Sequence, residues 1–191
     1  DSASACAQLS ACLTLAEQWA GVSQEPVAVP CMEEAVLSFL RSCEVLTSDW
    51  KQMLEQAANA PEPENLLAYT PALDQDIRLF TIDMLYRYYL RAAYAETPEA
   101  EILPVQMAAF AVCIVLLYSR RLEFHTAEQR LRIWQLFVKE IEYDGDNLEE
   151  LEWQMKKGEE MKVNEKIKVE TNAAFSPATF RAYFASPGGV Q

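Results

Sequence analysis

The sequence predicts an all-α fold, an irregular multi-helix bundle around a buried central helix at about 105–120, with a charged tail and a short C-terminal helix. Three observations predict it. Met107–Tyr118 (MAAFAVCIVLLY) is a run of twelve apolar residues without charge, Gly or Pro. As a helix it is apolar all round and must be enclosed by other elements. The segments flanking it carry apolar residues at i, i+3, i+4 and i+7, the period of amphipathic helices. Only 5 glycines occur in 191 residues, a scarcity that favours helix over a turn-rich β fold. The apolar run alone would be roughly 18 Å long, short of the ~30 Å hydrocarbon core of a bilayer. Val112, Ile114 and Val115 are β-branched and leave a strand reading open, against which the length of the run argues.

The elements follow in order. Ser4–Ala20 reads as a first helix, with Leu9, Cys12, Leu13, Ala16 and Trp19 on one side and Gly21 as its stop. Two prolines in Ser23–Pro30 break the chain. Cys31–Val45 is a second helix, its stripe Val36, Phe39, Leu40 and Cys43. Thr47, Ser48 and Asp49 are N-cap formers, and the helix they open runs to about Ala58 with Trp50, Met53 and Leu54 on its apolar face. Ala60–Glu64 (APEPE) is a second break. From Pro71, Leu73, Ile77, Phe80, Met84 and Tyr88 recur at helical spacing, with Ile82, Leu85 and Tyr89 widening the face. Asp74–Arg78 and Asp83–Arg87 are i,i+4 pairs, worth a few tenths of a kcal/mol each. Pro98 and Pro104 bracket a loop, and Pro104 opens the central helix, whose C-terminal end carries Arg120 and Arg121. Thr126 and Gln129 form a capping box for a helix through Leu131, Trp134, Val138 and Ile141. Tyr143–Asn147 breaks it, and Asp146 with Glu149 suggests a second box before Leu148, Leu151 and Met155.

After Lys156 the character changes. The mixed-charge run to Glu170 reads as an exposed helical extension, or as a short strand from its Met161, Val163, Ile167 and Val169. Ser176-Pro177 opens a short helix with Phe180, Tyr183 and Phe184 on one face. That helix either docks back on the body or binds a partner. The chain divides into a helical domain at 1–155, with linkers near 22–30 and 59–64, and a tail at 156–191. No signal peptide is visible. Beginning at Asp1, the sequence reads as a processed chain or as part of a longer one.

Charge narrows the function. Asp and Glu number 29 against 16 Lys and Arg, a net charge of −13. That argues against nucleic acid and anionic membranes as partners and suits a protein partner bearing basic groups. Cys6, Cys12, Cys31, Cys43 and Cys113 are odd in number, widely spaced and without a CxxC pair. They fit a reducing, cytoplasmic setting better than a disulfide framework.

No catalytic motif stands out. His125 is the only histidine and precedes the helix start at Thr126, so it reads as a loop residue. Asp144-Gly145-Asp146-Asn147 lacks the alternating ligands and distal Glu of a calcium loop. Glu140, Glu142 and Asp144 are two residues apart and do not share a helix face; they read as a negative rim. No metal ligands and no cofactor-binding residues are identified. The cluster Tyr86, Arg87, Tyr88, Tyr89, Arg91 and Tyr94 is either core aromatics with snorkelling arginines or a docking groove. Candidate partner-docking residues are therefore Tyr86, Arg87, Tyr89, Arg91, Phe180, Tyr183 and Phe184.

Leu131–Leu151 (LRIWQLFVKEIEYDGDNLEEL) resembles the C-terminal region of flagellin lysine-N-methylases, in its Glu140-Ile141-Glu142 step, a polar break, and Asn147-Leu148-Glu149-Glu150-Leu151. Asp83–Tyr94 is similar to that family's aromatic helix before a long apolar one, and Leu37–Leu54 to a helix pair with its Leu and Trp spacing. The resemblance covers about Leu37 to Leu151. It implies the helical C-terminal portion of an S-adenosylmethionine-dependent protein-lysine methyltransferase, with flagellin as substrate and this part as scaffold and substrate docking. The family's cysteine-rich cluster, a metal or iron–sulfur site, is not reproduced by Cys6, Cys12, Cys31 and Cys43. S-adenosylmethionine and an iron–sulfur cluster are thus implied by resemblance only. The residues themselves equally support a non-enzymatic acidic helical interaction module of adaptor or immunity type.

Overall fold

Met107–Tyr118 lies inside a helix twice its length. In the computed structural model, which describes residues 3–21, 26, 28–61, 67–94, 97–156 and 174–185, the helices are α1 (Ala5–Ala20), α2 (Val29–Ser42), α3 (Ser48–Asn59), α4 (Pro71–Ala93), α5 (Pro98–Arg121), α6 (Ala127–Phe137), α7 (Gly145–Lys156) and α8 (Pro177–Ala185). The described residues contain no strand. The fold is an all-α, irregular multi-helix bundle. The charged run, at 157–173, lies outside the described residues.

Helix α5 is the axis. Every residue from Met107 to Tyr118 is at most 1% exposed, and α1, α4, α6, α7 and α8 all pack on it. This enclosure, not local propensity, decides for helix over the β-branched residues inside it. The helix starts at Pro98 rather than Pro104. Thr97 caps it, its hydroxyl accepting from the Ala100 N–H at 3.3 Å, and Pro98 takes a first-turn position where no N–H is needed. Pro104 lies buried within the helix, where its ring removes one backbone hydrogen bond. With 24 residues, α5 is about 36 Å long. It is therefore long and apolar enough to cross a membrane, unlike the apolar run alone, but 83% of its most apolar window is buried by the other helices.

Aromatic side chains fix the neighbours. Phe110 on α5 meets Phe39 of α2 and Phe175 before α8 edge to face, at 5.8 and 5.3 Å between ring centroids. Trp50 of α3 packs on Tyr118 at 5.6 Å, and Phe80 of α4 stacks on Trp134 of α6 at 4.4 Å. Helix α8 closes the bundle against α1, α2 and α5. Its Arg181 pairs with Glu17 of α1 at 2.7 Å and donates to the Thr14 hydroxyl at 3.1 Å. Desolvation raises the Glu17 carboxyl above its ordinary value, although Arg181 opposes the shift.

Most local signals hold. Ser4 caps α1 and Gly21 ends it in the left-handed region at φ 67°. Thr126 and Gln129 form the capping box of α6, and both i,i+4 pairs on α4 are made, at 2.7 and 2.9 Å. Three readings change. Helix α6 ends in a π turn at Val138–Glu142, closed by the Tyr143 N–H to the Val138 carbonyl at 3.1 Å. The residue capping α7 is Asp144, whose carboxylate accepts from the Asn147 N–H at 2.8 Å, rather than Asp146. Glu140 is not on a negative rim: it is fully buried, for a reason given below.

Candidate interaction surface

Two helices turn apolar residues both inward and outward. On α4 the inward row Leu73, Ile77, Phe80, Met84 and Tyr88 is buried. At 100° per residue, Leu79, Ile82, Tyr86 and Leu90 lie on the opposite side of the same helix. All four are exposed, Tyr86 to 83%. Ile82, expected to widen the core face, belongs to this outer row, because it is two residues from Phe80 and points away from it. On α1 the buried row is Ala5, Leu9, Leu13 and Ala16, and the outer row contains Leu15 and Trp19. Cys12 and Trp19, expected on the core side, are exposed, Trp19 to 73%.

The two helices touch. At one end the Ala5 N–H donates to the Asp74 carboxylate at 2.6 Å, and Arg78 Nη1 donates to Gln8 Oε1 at 2.6 Å. At the other end Trp19 and Ala93 line one open groove of about 860 Å³ together with Leu15, Ile102 and Val105. Helices α1 and α4 therefore run in the same direction. The Trp19 indole N–H donates to Glu101, which marks the groove's end.

Neither outer row contains a charged residue, although Glu101 lines the groove. The only charged residue of α1 is Glu17, and it is buried. The outer row of α4 has none; Arg87 beside it is held by Asp83 at 2.9 Å and by Glu142 at 3.3 Å. Partial desolvation lowers the Arg87 guanidinium, but these two carboxylates outweigh it and hold it above its ordinary value. On a chain of net charge −13, rows this poor in charge stand out among the described residues.

The candidates from the sequence fall in three places. Tyr86 sits in the outer row and Arg87 at its margin, engaged with carboxylates. Tyr89 and Arg91 belong to α4, and their side chains lie outside the described residues. Phe180, Tyr183 and Phe184 are buried under α1, α2 and α5, the arrangement of a terminal helix docked on the body. Leu15, Trp19, Leu79, Ile82 and Leu90 are additions. The signal for the α4 residues was present in its angular arithmetic, which puts Leu79, Ile82 and Leu90 opposite the core row; Trp19, three residues after buried Ala16, carried no such signal.

The residues that carry the methylase resemblance do structural work. Glu140, at the π turn, accepts from the Leu46 N–H at 2.7 Å and from the Thr47 hydroxyl. The Asn147 amide oxygen accepts from the Glu44 N–H at 2.8 Å, and its Nδ2 donates to the carbonyls of Glu44 and Glu140 at 2.9 and 2.8 Å. Together they staple the α2–α3 loop to the α6–α7 turn.

The methyltransferase reading is corrected by the fold. The described residues form an all-helical bundle without the sheet core typical of S-adenosylmethionine-dependent methyltransferases. Among them no group of three or more His, Cys, Asp or Glu could hold a metal ion. Cys12 and Cys31 are exposed, Cys43 is half-buried, and Cys6 and Cys113 are buried, so the cysteines do not fit an iron–sulfur cluster. Burial pushes the thiols of Cys6 and Cys43 up to about 12 and that of Cys113 well above the ordinary range, the reverse of what a nucleophile or metal ligand needs. Enzyme, lysine methylase and flagellin substrate are therefore withdrawn together. No family model, no curated protein and no solved structure matches the chain.

Proposed function

We propose that this chain is a non-enzymatic, acidic helical interaction module, of adaptor or immunity type, that engages a protein partner through the outer face of α1 and α4. One observation carries the reading: Leu79, Ile82, Tyr86 and Leu90 stand exposed along one flank of α4, and Leu15 and Trp19 stand exposed on α1. Scattered single exposed apolar residues are ordinary, whereas a contiguous apolar face marks a contact surface. Fully burying a large apolar side chain contributes about 1.5–3 kcal/mol. Six such residues give a gross gain on the order of 10 kcal/mol, similar to the ~4–15 kcal/mol lost in association. The face supports binding of moderate strength, and charge around it sets the rest. A reducing, cytoplasmic location belongs to the same reading, in keeping with five free thiols.

The test is a photo-crosslinking side chain placed at Tyr86 and, as control, at exposed Glu128 on α6, in cells that make the full protein. The expected result is a discrete adduct with another polypeptide from position 86 and none from position 128. Equal adducts from both positions, or none from either, would overturn the proposal.

A further inference from the structure

Deepening the interaction-module reading and resting on it, we infer that the open groove beside α1 takes an arginine side chain of the partner, stacked on Trp19 and paired with Glu101. The groove, of about 860 Å³, forms where α1 and α4 both end against the start of α5, with Gln18, Trp19, Ala93 and Glu101 on its walls. Among the described residues that line it, Glu101 is the one that carries charge. Trp19 is 73% exposed, and its indole N–H donates to the Glu101 carboxylate. That bond holds the ring beside the carboxylate and draws electron density onto the ring face, which strengthens its attraction for a cation. A carboxylate has about four lone-pair sites, so one indole N–H leaves it capacity for a guanidinium fork. The helix ends act in the same sense. The C-termini of α1 and α4 are the negative ends of their dipoles, and α1 has no basic residue in its last turn to answer that charge. The N-terminus of α5 has the opposite sign, but the Thr97 hydroxyl already caps it. Arginine fits this site better than lysine. Its planar, weakly hydrated guanidinium stacks on an indole and matches a carboxylate with two donors, whereas an ammonium is a strongly hydrated point charge. The aliphatic stem packs along Leu15, Ile102 and Val105. An open groove covers too little of a small ligand to hold it alone. The arginine therefore arrives on a polypeptide segment, whose approach the net charge of −13 favours.

Cys12 lines the groove and is exposed, so tethering can read even a weak contact. Three short peptides carry a thiol at one end and, between leucines, an arginine, a citrulline or a lysine; citrulline keeps the shape of arginine and drops its charge. Each is exchanged under a thiol–disulfide buffer onto the full chain with Cys31→Ser, in which Cys12 is the remaining exposed thiol. The arginine peptide should accumulate on Cys12 about fivefold to thirtyfold over the citrulline peptide, the combined effect of an exposed cation–π contact and an exposed ion pair. The lysine peptide should fall between them. Glu101→Gln and Trp19→Ala should each shrink the preference severalfold, while Glu128→Gln, the same charge change at an exposed site on α6, should leave it intact. Thermal melts of both groove variants should match the parent's, which separates lost contact from lost fold. Equal accumulation of the arginine and citrulline peptides on Cys12 would overturn the assignment. So would the same arginine preference on Cys31 in the Cys12→Ser chain, or an equal loss in Glu101→Gln and Glu128→Gln, since either means attraction by overall charge alone. Equal accumulation of arginine and lysine would reject the guanidinium. A foreign adduct from position 86 without an arginine preference on Cys12 would retain the interaction module and reject only this ligand.

Discussion

Glu140→Ala should remove more stability than any surface substitution on α6 or α7. The Glu140 carboxylate is fully buried and accepts two hydrogen bonds from the α2–α3 loop, one from the Leu46 N–H at 2.7 Å and one from the Thr47 hydroxyl. Hydrogen bonds to a charged group contribute about 1.5–3 kcal/mol each. Both donors are only part-buried, so water can reach them once the carboxylate is gone, and the lower figure applies. The expected loss is about 3 kcal/mol, a large share of the ~5–15 kcal/mol that holds a domain together. For a chain of this size that lowers the melting temperature by about 6–12 °C. Glu140→Gln keeps an acceptor for the Leu46 N–H and can donate its amide to the Thr47 hydroxyl, which accepts as well as donates, but it loses the charge, so it should lose about half as much. Urea denaturation at neutral pH reads both variants. Asn147→Ala breaks the second half of the same clamp, and the double variant with Glu140→Ala should depart from additivity by more than about 0.5 kcal/mol. If Glu140→Ala lies within about 1 kcal/mol of the parent, or Gln is the worse substitution, or the cycle is additive, the clamp is not what holds the loop.

Three further outcomes rest on the same packing. With a thiol reagent at about pH 8, near the ordinary thiol range, exposed Cys12 and Cys31 should react promptly, while Cys6, Cys43 and Cys113, with thiols raised by burial, should react only as the chain opens; five fast thiols would contradict the packing. Cys113→Ser should cost about 1–3 kcal/mol, because Cys113 is 1% exposed in the α5 core and a hydroxyl there has to be desolvated; an unchanged denaturation midpoint would count against it. Burial raises the Asp74 carboxyl, but the Tyr69 hydroxyl, the Ala5 N–H and Arg78 outweigh it and hold it below its ordinary 3.8. A depressed carboxyl adds stability that is present above 3.8 and is lost as the pH falls through the lower folded value. The stability gap between the parent and Asp74→Asn should therefore be constant near neutrality and close below about pH 4; a gap that persists undiminished into acid would refute the ion-pair account.

How much of this was legible in the sequence depends on whether the signal was local. The central run Met107–Tyr118, the caps at Ser4, Thr47 and Thr126, and the left-handed stop at Gly21 are local, and each is where the residues placed it. The start of α5 was misplaced because Pro98 and Pro104 were read as bracketing a loop, with Pro104 as the helix opener, and only the Thr97 cap distinguishes Pro98 from Pro104. Glu140 could not be read at all. Its burial depends on a loop roughly a hundred residues earlier in the chain, and no periodicity in α6 encodes that contact.

The outer face of α4 was written in the sequence but was masked by the habit of assigning every apolar residue of a helix to one core. Leu73, Ile77, Phe80, Met84 and Tyr88 already fill a stripe wide enough to bury the helix against α5 and α6. Ile82 does not extend that stripe: it lies roughly 200° round the helix from Phe80, and Leu79, Tyr86 and Leu90 lie with it. A helix with two apolar faces has one more than its own fold can use. Folding of this chain gains nothing from the second face, since those side chains remain in water. The same holds for Leu15 and Trp19 on α1, whose inward row is complete without them. That four large apolar residues recur at helical spacing along one exposed flank of α4 is what separates this surface from ordinary exposed leucines.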